Sequence, residues 1–392
     1  MKIKNATLKQ YLPKIVVTAL IVISFFILFL MIHQPSPEDN DSNFYLEYNT
    51  ARIINIIADY TFFPDPDDPH FYGDANHIRL GTMVYEIEVL RGAFAGLILE
   101  ADYHMNSPAD VHFQVGDQVS VRIFEFAGEI SIVEIRHPER TTLLLGAVVL
   151  FLIFLCILGG KRGMLAVIGL VFAVGCVMLL LIPSITAGYP VMLMTLIILA
   201  LVTIASITLL AGLSVKGVSA ILGCLSGVGI ATIFAQVTGG LAHVSGYSMA
   251  NAGAIMNLSA DARVGGLFVS SVLVASIGAV MDASMSVASA LEEVKLANPE
   301  ISMEALFKSG FNVSRDVMGT MSSTLILAFI GGSLSMMVFM HLTNTSFNQF
   351  INNELIAMEI IKGIAGSFGI MLAAPLTAFI SAKLLTIQKG VA

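Results

Sequence analysis

The sequence predicts an α-helical polytopic membrane protein of about eight transmembrane helices, with a small extracytoplasmic β-rich domain. Three observations lead there. Hydrophobic residues make up 56% of the 392 residues and charged ones only 12%. A soluble domain carries about twice that charge, and the mean hydropathy is +0.85. Several apolar runs reach the roughly 20 residues that a helix needs to cross a bilayer. Charge is also unevenly placed: residues 33–140 hold 19 Asp+Glu against 6 Lys+Arg, whereas the remainder holds 9 against 14. An acidic segment joined to a mildly basic membrane body argues against nucleic-acid binding, which needs a basic patch.

The elements follow in chain order. Residues 1–32 form a cytoplasmic N-terminus and a signal-anchor helix. Lys2, Lys4, Lys9 and Lys14 precede the apolar run from Ile15 to Ile32. That run is longer than a usual signal-peptide core and no A-x-A site follows, so it is read as retained. Residues 33–140 form the exterior domain. MVYEIEVL (83–90), QVSVRIF (118–124) and ISIVEIR (130–136) alternate with a period near two, the mark of half-buried strands. Glycines in VLRGAFAG and FQVGDQV fall between them. A small β-barrel or sandwich, OB-like in plan, fits this pattern. The loop PDPDDPHFYGDANH (64–77) is dense in carboxylates. Its spacing does not match a calcium loop, and it reads as a solvated acidic insertion.

Residues 141–392 form the membrane domain, with spans at 141–159, 163–183, 191–212, 217–239, 264–284, 318–342 and 360–385. With the N-terminus inside, Lys161, Arg162, Lys216, Lys295, Lys308, Arg315 and Lys389 all fall on the cytoplasmic side, as the positive-inside rule asks, and Arg263 at the outer edge of its span is the one misplaced basic residue. Both termini are then cytoplasmic in a plasma-membrane protein. Residues 240–263 fit either an exterior amphipathic helix or a re-entrant segment. The three cysteines lie in apolar runs without metal or CxxC spacing.

One stretch carries chemistry. In SIGAVMDASMSVASALEEV (276–294), Asp282 stands in a run with no other charge between Arg263 and Glu292. Ser271, Ala275, Gly278, Asp282, Ser286 and Ser289 follow one another at steps of three or four, one stripe of a helix. Such a stripe is expected to face other helices, since small residues permit close approach. An intramembrane carboxylate in that stripe either handles a cation or proton, or is a hydrogen-bonded packing residue. Gly278, Asp282 and Ser286 are the candidate intramembrane polar site. Three further ladders read as packing devices: Gly223–Gly227–Ala231–Ala235, Thr324–Ala328–Gly331–Ser335 and Gly363–Gly366–Gly369–Ala373, the last followed by Pro375. Gln236 and His243 are weaker polar candidates.

Residues 285–317 read as a cytoplasmic segment. Ser302 caps a short amphipathic helix from about Met303 to Gly310. EALFKSG (304–310) partly resembles the coupling loop of ABC importer permeases, and the chain holds no nucleotide-binding G-x-x-x-x-G-K-[ST] of its own. Glu292, Glu304, Lys308, Arg315, Asp316 and Gly319 are candidates for a cytoplasmic gate or coupling surface. Arg315 or Lys308 is placed to meet Asp282.

SIGAVMDASMSVASALEEVKLANPEIS and LFKSGFNVSRDVMGTMSSTLILAF together resemble the signature region of the YibE/F-like membrane proteins. VLRGAFAG, VGDQVSV, LGGKRGM (158–164) and LAHVSGYS (241–248) support the resemblance. It implies a bacterial multi-pass membrane protein and marks Gly278, Asp282, Ser286, Glu292, Arg315, Asp316 and Gly319 as important. It supplies no activity. Zincin, serine-hydrolase and Walker motifs are missing, and GAVMD lacks the setting of an intramembrane aspartyl protease. No enzymatic role, cofactor or metal is expected. The partners expected are the lipid bilayer and a homo-oligomer or separate cytoplasmic protein. A transporter or permease component is the leading reading. The other is an envelope scaffold or sensor whose exterior domain binds a cell-envelope partner.

Overall fold

A computed structural model describes residues 22–32, 44–63, 79–107, 110–126, 129–259 and 261–387. The chain divides into two compact units, residues 35–154 and residues 155–392 with 1–34.

The first unit holds five strands: β1 (Phe44–Phe62), β2 (Leu80–Val89), β3 (Ile98–Met105), β4 (Gln118–Phe126) and β5 (Glu129–Pro138). They close into a barrel in the order β1-β2-β3-β5-β4, with β1 paired to both β2 and β4. The pairing of β3 with β5 is parallel, through Asp102 and Glu134. This is an OB-type order. Alternation selects the inner face: Met83, Tyr85, Ile87 and Val89 of β2 are buried, as are Val119, Val121 and Ile123 of β4. β1 serves two neighbours because register shifts at Ile53/Asn55 and Ile56/Ala58 bend it. Phe113, from the β3–β4 connection, closes the core, its ring 4.9 Å from Tyr103 and 6.3 Å from Tyr85. The glycines flagged between strands do turn the chain: Gly92 and Gly116 have φ of +89° and +100°. The acidic loop 64–77 lies outside the described residues.

The second unit is helical. Its elements are α1 (Val22–Ile32), α2 (Thr141–Cys176, which begins in the first unit), a π-helical turn (Val177–Leu181), α3 (Ile182–Thr186), α4 (Val191–Ala211), α5 (Val215–Leu241), α6 (Ala252–Leu258), α7 (Leu267–Ala297), α8 (Met303–Gly332), α9 (Leu334–Leu342), α10 (Phe347–Asn352) and α11 (Glu354–Ile387). Among the described residues five helices are long and apolar enough to cross a membrane, or six if the bent pair α8/α9 is one span. The apolar helix from Thr141 to Thr186 counts as one of these, yet Gly160 breaks it with φ 53°, ψ −133°. After α5 ends at Leu241, the described residues up to 263 contain only α6 and a short 3₁₀ turn, neither long enough to cross.

The core of this unit is α5, α7 and α11. Gly223 and Gly227 of α5 press onto α11: a Cβ at Gly223 would strike Thr377, and one at Gly227 would lie 2.5 Å from Ala373 Cβ and 2.7 Å from the Gly369 carbonyl. The α5 and α11 ladders are therefore buried packing devices, as read. The ladder Thr324–Ala328–Gly331–Ser335 is not: all four residues are exposed on α8 and α9.

The segment 285–317 also differs from expectation. α7 continues to Ala297, and α8 runs unbroken from the Ser302 cap to Gly332 instead of stopping near Gly310. Gly310 looks like a helix end in the sequence but serves a close contact, where a Cβ would lie 2.5 Å from Leu291 and 3.0 Å from Ala378. Arg315 and Asp316 consequently sit in the middle of a helix. The break comes later, at Gly332–Ser333, where α8 and α9 meet at a 57° bend.

Two outcomes are expected. Gly227→Ala will lower stability by about 1–3 kcal/mol through overpacking, while Gly229→Ala on the same helix, with nothing within 4 Å of its Cβ, will not; thermal unfolding in detergent distinguishes them. In the barrel, burial pushes the Tyr85 phenol up to about 12. Its folded pKa exceeds the unfolded value of about 10, so its contribution is complete below pH of about 10 and is lost as pH rises through about 12. Tyr85→Phe will remove that part of the alkaline loss, read by circular dichroism of the barrel across the same pH range.

Candidate functional site

α7 carries two unlike faces. Phe268, Val272, Leu273, Val280, Ala283, Val287, Ala288 and Leu291 are buried against the other helices. Ala275, Gly278, Asp282 and Ser286 are exposed, with Ser271 and Ser289 partly covered. The stripe expected to face the bundle thus points away from it. The reason lies in the partners. Val280 enters a hollow built by glycines on two other helices, its Cγ1 3.0 Å from a Cβ placed at Gly227 and its Cγ2 3.4 Å from one at Gly369. A close three-helix contact needs small residues on some helices only. Here α5 and α11 supply them, so α7 supplies the bulk and turns its own small residues outward.

Nothing lies within 4 Å of a Cβ at Gly278. The outward faces of the neighbouring helices are apolar: Leu193 and Ile197 on α4, Leu222, Ile233 and Val237 on α5, Phe368, Met371 and Leu372 on α11. The α7 surface is polar by contrast. α8 extends that polarity with exposed Arg315, Asp316, Gly319, Thr320, Ser323 and Thr324. The Thr320, Ser323 and Thr324 hydroxyls donate to carbonyls one turn back, at 2.8–3.1 Å.

The register between α7 and α8 follows from their contacts. Gly310 meets Leu291, and a Cβ at Gly366 would touch both Leu325 and Ser276. In this antiparallel pair Asp282 is level with Gly319, Ser286 with Arg315, and Glu293 with Lys308. Arg315 and Lys308 are both exposed. Among the described residues no ion pair joins either to Asp282, so the expected gate contact does not form. Instead Glu292 Oε2 lies 3.2 Å from Lys216 Nζ, tying the end of α7 to the start of α5. Glu304 sits in the first turn of α8, where a carboxylate suits the positive end of the helix dipole.

A second polar locus escaped the sequence reading. Glu359 Oε1 accepts from Lys362 Nζ at 2.7 Å, and both side chains are largely covered. Glu359, Ser333 and Ile356 line two cavities of about 240 and 200 Å³ at the α8/α9 break. The available signal was an i,i+3 Glu/Lys pair at the edge of an apolar run. A third cavity, of about 450 Å³, gathers His243, Asn352 and Glu354. Gln236 is exposed on α5 and is not part of it. Among the described residues no three His, Cys, Asp or Glu side chains converge as a metal site requires.

Residues 147–387 match the model of the family described as YibE/F-like protein. No curated protein and no solved structure matches the chain. The matched region contains both polar loci. A double-mutant cycle on Lys216→Ala and Glu292→Ala is expected to give a coupling of about 0.2–1 kcal/mol that fades with added salt, because both side chains are partly exposed; unfolding midpoints of the four proteins measure it.

Proposed function

The chain belongs to the YibE/F-like family, and from that premise we propose that it is a transporter or permease component moving a small solute or ion across the bacterial plasma membrane. The observation that carries this reading is the break between α8 and α9. A long apolar helix bends by 57° at Gly332–Ser333, and Glu359 and Ser333 line two cavities at the bend. Interrupted helices whose freed backbone groups and ionisable neighbours meet at a cavity are a recurrent plan for substrate and ion sites.

Eight spans fit this proposal. The six apolar spans become seven when the helix divided at Gly160 counts as two, and the run that ends in α1 completes the set. Lys and Arg placement supports cytoplasmic termini and an exterior barrel. The role is not enzymatic in this reading, and neither a cofactor nor nucleic acid takes part.

A scaffold or sensor role has one observation in its favour. Ile54, Ile57, Tyr60 and Phe62 are exposed along β1, with Phe63 just beyond its end, an apolar surface of the kind that binds a partner.

Purified protein in liposomes carrying a proton or monovalent-cation gradient is expected to show flux. Glu359→Gln and Asp282→Asn are each expected to reduce it about tenfold or more without altering the unfolding midpoint. Wild-type liposomes as tight as protein-free ones would remove the transport reading and favour the scaffold.

A further inference from the structure

We propose that the polar face shared by α7 and α8 is the contact surface between two copies of this chain. This inference does not depend on transport.

Asp282 is an exposed carboxylate halfway along α7 and near the cytoplasmic end of its apolar span 264–284. Facing lipid it is disfavoured, less so than at the bilayer centre, and ionisable groups within such helices face protein or water. The exposed side chains of α4, α5 and α11 are suited to lipid apart from Gln236 near the outer end of α5 and the helix-end Glu354 and Lys383 of α11; the set Ala275, Gly278, Asp282 and Ser286 instead places a carboxylate and a hydroxyl among small residues within one span. What covers this face is another helix surface, because the face is built for close approach. A Cβ at Gly278 or at Gly319 meets nothing within 4 Å, and Ala275, Ser286 and Ser323 flank them.

The charges identify the occupant. The open face of α7 carries only acids, Asp282 and Glu293. α8 carries exposed Lys308 and Arg315 together with exposed Asp316, which shares the stripe of Gly319 and Ser323, so the open face of α8 is net positive where that of α7 is negative. None of Asp282, Glu293, Lys308 or Arg315 forms an ion pair with another described residue. A two-fold axis along the membrane normal keeps every residue at its own depth. It therefore brings α7 of one copy against α8 of the other with Glu293 level with Lys308. Asp282 lies one helical turn, about 5.4 Å, from Arg315, within reach of an arginine side chain. The surface complements itself, as an isologous interface must.

The test uses the full chain in native membranes, with Cys156→Ala to remove the one cysteine that is not buried. Two differently tagged copies are co-expressed, one with Gly278→Cys and the other with Ser323→Cys, and oxidised. A covalent dimer bearing both tags is expected, and none when Leu222→Cys on α5 replaces Gly278→Cys. In detergent, Asp282→Arg or Arg315→Asp alone is expected to weaken self-association on the order of tenfold or more, and the two swaps together to restore it. A wild-type chain that is monomeric in nanodiscs would overturn the proposal. So would equal cross-linking from Leu222→Cys, or disulfides to a different protein only.

Discussion

In the membrane unit, Val280 of α7 seats in a hollow where Gly227 of α5 and Gly369 of α11 leave no side chain of their own. The hollow exists because α5 and α11 approach until a Cβ at Gly227 would lie 2.7 Å from the Gly369 carbonyl. That distance admits only glycine or a rearranged backbone. Once Val280 is committed inward, helical periodicity commits the rest of α7. Leu273, Val287 and Leu291 follow it into the core, while Gly278, Asp282 and Ser286 rotate to the outside. The position of α8 follows too, since Leu291 meets Gly310 and Ser276 lies beside Leu325 at Gly366. Both the polar face and its register thus derive from one glycine-lined contact.

Much of this was legible in the sequence. Alternation in MVYEIEVL placed Met83, Tyr85 and Ile87 on one side of a strand, and those side chains are the barrel core. The ladders at Gly223 and Gly363 were read as packing devices and are buried. What the pattern could not supply was direction. A helical wheel separates the stripe of Asp282 from that of Val280, but a small-residue stripe and a bulky one both satisfy the demand for a packed face. Which turns inward depends on what the partner offers. The same ambiguity put Thr324, Ala328, Gly331 and Ser335 on the wrong side. Gly310 misled for a related reason: a glycine that ends a helix and one that admits a neighbour look alike until the neighbour is known. Glu359 and Lys362 went unnoticed because their meaning comes from the bend at Ser333, 26 residues earlier in the chain.

The two polar loci have different characters. At the α8/α9 break, Glu359 already has a partner in Lys362, and its cavity lies within one copy. Along α7 and α8 the carboxylate of Asp282 is unpaired and its surroundings are open. A membrane protein that keeps a charge on an outward surface keeps it for a protein neighbour or for a wet path, and the apolar surfaces of α4, α5 and α11 set that surface apart.

Cryo-electron microscopy of the full chain in lipid nanodiscs examines this directly, at the level of α7. The account predicts a second copy related by a two-fold axis, with its α8 packed over Gly278 and Asp282 and its Arg315 at the carboxylate. Acyl-chain density lying along Ala275, Gly278, Asp282 and Ser286 of a single copy would contradict it.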